Sequence, residues 1–271
     1  MNNIRKTPAP LTILTALAAE AETLIGHKKN KKKQNMFSPG LHFSENSATE
    51  IIQCGIGRDA LLRVAAPQLK NSSIIGNIGV SGGLASDLKP GTVILGDRIL
   101  NNENHDTSYQ DVYTPSARLL AFLESILKKN NVPYKSGPLL CTLQPVYSTD
   151  DKNAAYLKTG ALAVDMESVG AAEAARQAGL PFFCIRVVCD PAGRRLEKKL
   201  FAGVDSRGNS RPMRLINPLI RRPWLLTYLF MMAQDFSQAL TGMRQVWNVV
   251  QKPLADLAVS NSAARSFDGN L

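Results

Sequence analysis

Thirty residues, ALAVDMESVGAAEAARQAGLPFFCIRVVCD from Ala161 to Asp190, set the tightest limits on what this 271-residue chain can fold into. They read as strand, helix, strand, and each strand ends in acid. Ala161–Val164 is a short apolar run closing on Asp165-Met166-Glu167. Ser168–Gly179 is rich in alanine, carries Glu173 and Arg176 for an exposed face, and is stopped by Gly179-Leu180-Pro181. Phe182–Cys189 is apolar throughout except for Arg186, the pattern of a strand buried on both faces of a parallel sheet. In open α/β sheets ligands bind beyond the carboxyl ends of the strands, so Asp165, Glu167 and Asp190 have a geometric reason to meet at one rim.

The remainder of the chain extends this alternation. Leu11–Leu17 reads as a first central strand running into a helix, Ala18–Ile25, with Glu20 and Glu22 in its first turn, where a carboxylate gains from the helix dipole. Thr49–Cys54 and Ser73–Val80 read as further strands, and Arg58–Leu69 as a helix entered through the Gly55-Ile56-Gly57 turn. Backbone N–H groups at such a helix start can hold an anion. Thr92–Leu100 and Leu139–Tyr147 are the remaining expected strands, and Pro115–Asn130 is an amphipathic helix. His105 beside Asp106 stands in a polar, turn-rich stretch with no further ligand at a useful spacing, so an ordinary loop histidine is expected and no metal site. The Ser81-Gly82-Gly83 loop lets a backbone approach a ligand closely but is no dinucleotide fingerprint.

VDMES, a helix, and a strand ending RVVCD resemble the nucleoside phosphorylase and nucleosidase superfamily. LTALAAEAETL (14–24), CGIGRDAL (54–61) and IGVSGGLASDLKPGTVILGD (78–97) are similar to the same family and come in its order, from Leu14 to Asp190. The wording TGALAVDMES, RVVCDPAGRRL and a long basic, apolar C-terminal region resembles the hopanoid-associated phosphorylases, to which cleavage of adenosylhopane into adenine and a ribosylhopane phosphate is assigned. The resemblance implies a three-layer αβα fold around a central mixed, mostly parallel twisted sheet. It implies that Asp190 protonates the leaving purine, that Glu20 orients or activates the nucleophile, and that Glu167 takes the ribose hydroxyls with Met166 on the sugar face. Gly82 and Gly83 would lie against the sugar. Arg186 would bind the nucleophile. Arg58, whose charge stands at the helix start after Gly57, is either a second phosphate contact or a surface arginine. Val80 stands where many relatives have serine, which removes one hydroxyl from the anion pocket unless Ser81 or the loop amides replace it. Asp165 is either a second sugar ligand or a structural acid. No cofactor is expected beyond inorganic phosphate as co-substrate, and a homo-oligomer is expected.

Composition bounds the remaining possibilities. A chain of this length can bury a core that needs no staples. Four cysteines, mostly in apolar runs, read as buried thiols, and MNNIRKTPAP lacks an apolar signal core, so a cytoplasmic protein is expected. Residues 1–10 read as a tail, 11–257 as one domain, and 258–271, small and polar, as a disordered tail. The chain carries a formal charge of +10. His27–Lys33 holds five lysines in seven residues and reads as a solvated loop. The region from about 194 to 250 begins with nine basic against two acidic residues between Arg194 and Arg222, followed by WLLTYLFMMA from Trp224, apolar on nearly every helical face. Ten residues cannot span a bilayer. They suit either a buried helix or one lying at an anionic membrane surface, at the inner face of the cytoplasmic membrane. Three functions thus compete: an adenosylhopane phosphorylase; a methylthioadenosine or adenosylhomocysteine nucleosidase-like hydrolase; and a basic lipid- or nucleic-acid-binding protein without turnover. The full set of acids argues against the third, and no nucleic-acid partner is expected.

Overall fold

The apolar runs become strands because their alternate residues feed two separate cores. The computed structural model describes residues 10–26, 42–46, 48–102, 110–209, 211, 213, 222 and 224–268. The elements in chain order are β1 (Leu11–Thr15), α1 (Ala18–Ile25), β2 (His42–Asn46), β3 (Thr49–Gln53), α2 (Arg58–Ala65), β4 (Ile74–Gly83), β5 (Val93–Asn101), β6 (Gln110–Tyr113), α3 (Ala117–Lys129), β7 (Tyr134–Cys141), α4 (Thr149–Thr159), β8 (Ala163–Asp165), α5 (Ser168–Gln177), β9 (Phe182–Asp190) and α6 (Leu225–Asp268). Ile13, Ile51, Ile78, Ile185 and Val187 pack with α1, α3 and α6 on one side. Leu14, Ile52, Ile75, Cys184 and Val188 pack with α2 and α5 on the other. The result is three layers, helices over a twisted sheet on both faces, as expected.

The sheet is mixed. β1 lies between β3 and β4, parallel to both. β9 lies between β4, parallel, and β5, antiparallel. β7 is parallel to β5 and to β8, and β8 reaches across to the tip of β4 in antiparallel fashion at Gly82 and Gly83. Strands β4, β9, β5, β7 and β8 therefore close into a ring. β2 and β6 add antiparallel strands outside it, on β3 and β5. Among the described residues five of the nine pairings are parallel.

Several expectations shift. β7 spans Tyr134–Cys141 rather than Leu139–Tyr147. Its ladder ends where the Thr142 N–H turns to the Asp165 carbonyl, 2.9 Å away, and the next residues become loop. α4 was not foreseen: its polar sequence, TDDKNAAYLKT, has little apolar periodicity, although Ser148 caps it by accepting from the Asp151 N–H at 3.0 Å. The expected disordered tail from 258 is instead the end of α6, which continues to Asp268 with Ala258 fully buried. Extending a helix adds one hydrogen bond per residue ordered, so small residues that could not nucleate a helix can prolong one already packed. The lysine-rich stretch 27–33, His105 and Asp106 lie outside the described residues.

Candidate active site

The carboxyl ends of β1, β4, β8 and β9 meet around a cavity of about 190 Å³. Its wall includes Glu20, Val80, Gly82, Met166, Glu167 and Asp190, together with Asp165 and Ser81. The three carboxylates marked out by sequence, separated by as many as 170 positions, thus reach one space.

Glu20 is the most tightly held. It sits in the first turn of α1, directly after β1. Its Oε2 accepts from the N–H groups of Ala16 and Leu17, both at 2.9 Å, and its Oε1 from the Val80 N–H at 2.8 Å. Burial pushes its carboxyl above the usual range, against these three donors and the charge of Arg186. The placement requires Gly79. A Cβ there would fall 2.8 Å from Arg186 Nη1 and 2.9 Å from Glu20 Oε1.

Asp165 and Glu167 divide the work at the end of β8. Asp165 Oδ1 accepts from the N–H groups of Glu167 and Ser168, at 3.1 and 3.0 Å, and from Ser168 Oγ at 2.8 Å, which caps α5. Its Oδ2 accepts from Arg186 Nε at 2.6 Å. Burial would raise this acid, but Arg186 and Ser168 outweigh it and hold Asp165 below the usual carboxylate range. Of the two readings left open for Asp165, these contacts favour the structural one. Glu167 accepts from the Gly57 N–H at 2.8 Å. The helix start at Gly57 does hold an anion, and that anion is this protein's own side chain. Gly57 has φ +92°, a conformation that disfavours any side chain. Burial, and then the neighbouring Asp165 charge, push Glu167 up to about 7.

Asp190 closes β9. Its Oδ2 accepts from Lys152 Nζ at 2.5 Å and its Oδ1 from Cys189 Sγ at 3.3 Å. Burial raises its pKa and Lys152 opposes the rise. Gly82 allows this packing, since a Cβ would lie 3.1 Å from Oδ2.

Three nominated residues are placed elsewhere. Arg186 is fully buried beneath the cavity: its Nε is on Asp165 and its Nη2 on Asn77 Oδ1. Strand alternation accounts for this, because Arg186 shares its face of β9 with Cys184 and Val188, under α5. Breaking such a buried pair costs about 3–5 kcal/mol, so Arg186 acts as a tether for Asp165. Arg58 forks onto Glu173 of α5, with bonds of 2.9 and 2.7 Å, and does not line the cavity. Gly83 pairs with Ala163 and packs on Val188, also off the wall. Ser81, one of the candidates to replace the missing hydroxyl, lines the cavity with its Oγ buried and without a hydrogen-bond partner among the described residues. Sequence reasoning missed Lys152 and Asn77. Asn77 had a signal, as the one amide inside an apolar strand; Lys152 had none.

Residues 10–221 match the family model of the phosphorylase superfamily. The chain belongs to that superfamily. Among similar proteins, the 5'-methylthioadenosine/S-adenosylhomocysteine nucleosidase of Listeria monocytogenes is 26% identical over 202 residues, covering 67% of this chain and 86% of the relative. The enzyme of the same name from Chromohalobacter salexigens is 22% identical over 233 residues, covering 78% and 97%. The nucleosidase of Neisseria meningitidis, solved in complex with methylthio-immucillin-A, superposes with a TM-score of 0.64 at 17% identity, covering 89% of this chain and 97% of that one. Futalosine hydrolase of Helicobacter pylori does so with a TM-score of 0.55 at 17% identity, covering 68% and 88%. These structural likenesses agree with the superfamily fold.

Proposed function

We propose that this superfamily member hydrolyses the N-glycosidic bond of a purine nucleoside. The observation that carries the reading is the convergence of Glu20, Glu167 and Asp190 on one cavity whose wall, among the described residues, includes no arginine or lysine. As the bond from C1′ to the base nitrogen breaks, Asp190 gives its proton to the base, which leaves neutral. The sugar carries positive charge in passing, and the fixed carboxylates of Glu167 and Glu20 stabilise it. Glu167 accepts from the ribose hydroxyls. Water bonds to C1′ and gives its proton to Glu20, whose upward shift suits a base.

Phosphorolysis, the expectation from sequence, rested on the likeness to the hopanoid-associated phosphorylases, with Arg186, Arg58 and the loop amides as an anion pocket. That pocket is weakened, since Arg186 donates to Asp165 and Asn77 and Arg58 to Glu173. The named activity of the relatives, nucleosidase, favours water as well. The test is adenine release from 5'-methylthioadenosine and from adenosylhopane, with phosphate present and rigorously removed. Hydrolysis predicts equal rates and a free sugar; phosphate-dependent release with a sugar 1-phosphate would restore phosphorolysis.

A membrane-resident nucleoside such as adenosylhopane remains the second substrate reading, because the start of α6 is apolar on its outer side. Trp224, Leu226 and Phe230 are 59%, 55% and 71% exposed, and the Arg222 guanidinium stands 5.9 Å from the Trp224 ring centre. No helix among the described residues is long and apolar enough to cross a membrane. Basic residues beside exposed aromatic ones suit an anionic lipid surface, at about 1 kcal/mol for each Lys or Arg that reaches it. The protein is expected to float with anionic vesicles and not with neutral ones, and a Trp224→Ser/Phe230→Ser variant to stay at the bottom of the gradient. Indifference to vesicle charge, or full binding by the variant, would leave this surface without that partner.

A further inference from the structure

Lys152 is the largest feature of the site that the mechanism above does not use. It is 0% exposed, and its ammonium donates to Asp190 Oδ2 at 2.5 Å and to the carbonyls of Pro191 and Arg194 at 3.1 and 3.0 Å. All three donors are thereby spent. Burying an ammonium costs several kcal/mol, and an apolar side chain of similar length would fill the same space without that cost. What lysine alone brings is a charge and three fixed hydrogen bonds at the residue read as the acid.

We propose that Lys152 is the positioning residue of Asp190, holding Oδ2 so that Oδ1, whose partner on the protein is the weak Cys189 thiol donor at 3.3 Å, is the oxygen turned to the base. The proposal rests on the reading of Asp190 as the proton donor. Lys152 reaches Asp190 from α4, an element otherwise remote from the cavity floor, and grips the turn that follows β9 with the same ammonium. Gly82 confines the carboxylate from a further side. The other charged or titratable groups facing it are Cys189 on β9 and Asp235 on α6, and Asp235 lies 2.9 Å from Arg194 Nη2. Lys152 is the nearest cation to the acid among them, and its charge favours the carboxylate. An acid catalyst loses activity as pH rises through its pKa, so Lys152 draws that alkaline limit downward. Removing its charge moves the limit up.

The experiment compares wild type, Lys152→Met, Lys152→Arg and Asp190→Asn in kcat/KM against pH, on whichever of 5'-methylthioadenosine and adenosylhopane the wild type cleaves. Melting temperature is followed alongside. Lys152→Met is expected to lose about 10- to 100-fold in kcat at neutral pH through misplacement of the acid, with KM little changed. Its alkaline limb should move up by about 1–3 pH units. Lys152→Arg should keep the wild-type limb. Lys152→Gln, which keeps hydrogen-bonding capacity without charge, replaces the methionine variant if that one does not fold. An unshifted limb in the uncharged variant, with Asp190→Asn inactive, would make Lys152 a packing residue only and overturn the proposal. Near-wild-type turnover by Asp190→Asn would instead remove the acid reading beneath it.

Discussion

Asp190→Asn is expected to lower turnover by about 100- to 10,000-fold, the usual worth of a general acid. The amide keeps the shape and can still accept from Lys152, but it has no carboxyl proton to deliver to a leaving purine. The structure adds a cost that the sequence did not suggest. Lys152 would be left as a buried cation without its counter-charge, and breaking such a pair costs about 3–5 kcal/mol. The variant should therefore fold, melt at a lower temperature, and release adenine slowly in a single-turnover assay. Wild-type-like release from the folded variant would take Asp190 out of the mechanism.

Glu20→Gln is expected to be as damaging, for two separable reasons. Removing the base that takes water's proton costs about 100- to 10,000-fold. Glu20 also accepts three backbone N–H bonds, two on one oxygen and one on the other. A glutamine has only one carbonyl oxygen, so whichever way its amide is turned, an NH2 group confronts at least one buried N–H. An unsatisfied buried donor costs about 1–3 kcal/mol. Thermal unfolding and initial rates on the same preparation separate the two effects. A variant that is unstable yet fully active at low temperature would confine Glu20 to a structural role.

Much of this site was legible because its acids end buried strands. Phe182–Cys189 is apolar enough to place β9 in the middle of a sheet, and the rule for strand ends then puts Asp190 at the rim. Asp165 and Glu167 followed from the same reasoning on β8, whereas Met166 and Glu20 were marked only by the family resemblance. The role that the resemblance implied for Arg186 took no account of strand alternation, which turns its side chain under α5. For Arg58 phosphate contact and a surface position both stayed open, because its partner, Glu173, is 115 positions away. Lys152 was invisible for another reason. It lies in a polar helix with weak periodicity, and only its bond to Asp190, 38 positions away, shows that this one polar side chain points inward.

The closed ring of β4, β9, β5, β7 and β8 bears on how a nucleoside can get in. An open sheet can part at an edge; a ring has none, and every member here bonds to neighbours on both sides. Prising the cavity apart from below would break two ladders at once. The opposite wall is made of loop: Thr142, Pro145 and Val146 before α4, and Leu196 and Val204 after β9. These two stretches are joined by a bond from the Leu196 N–H to the Tyr147 carbonyl, 2.8 Å long. The Lys198 ammonium over the Tyr147 ring, 4.8 Å from its centre, ties the same two stretches, so this wall is held by a few single contacts where the floor is held by whole ladders.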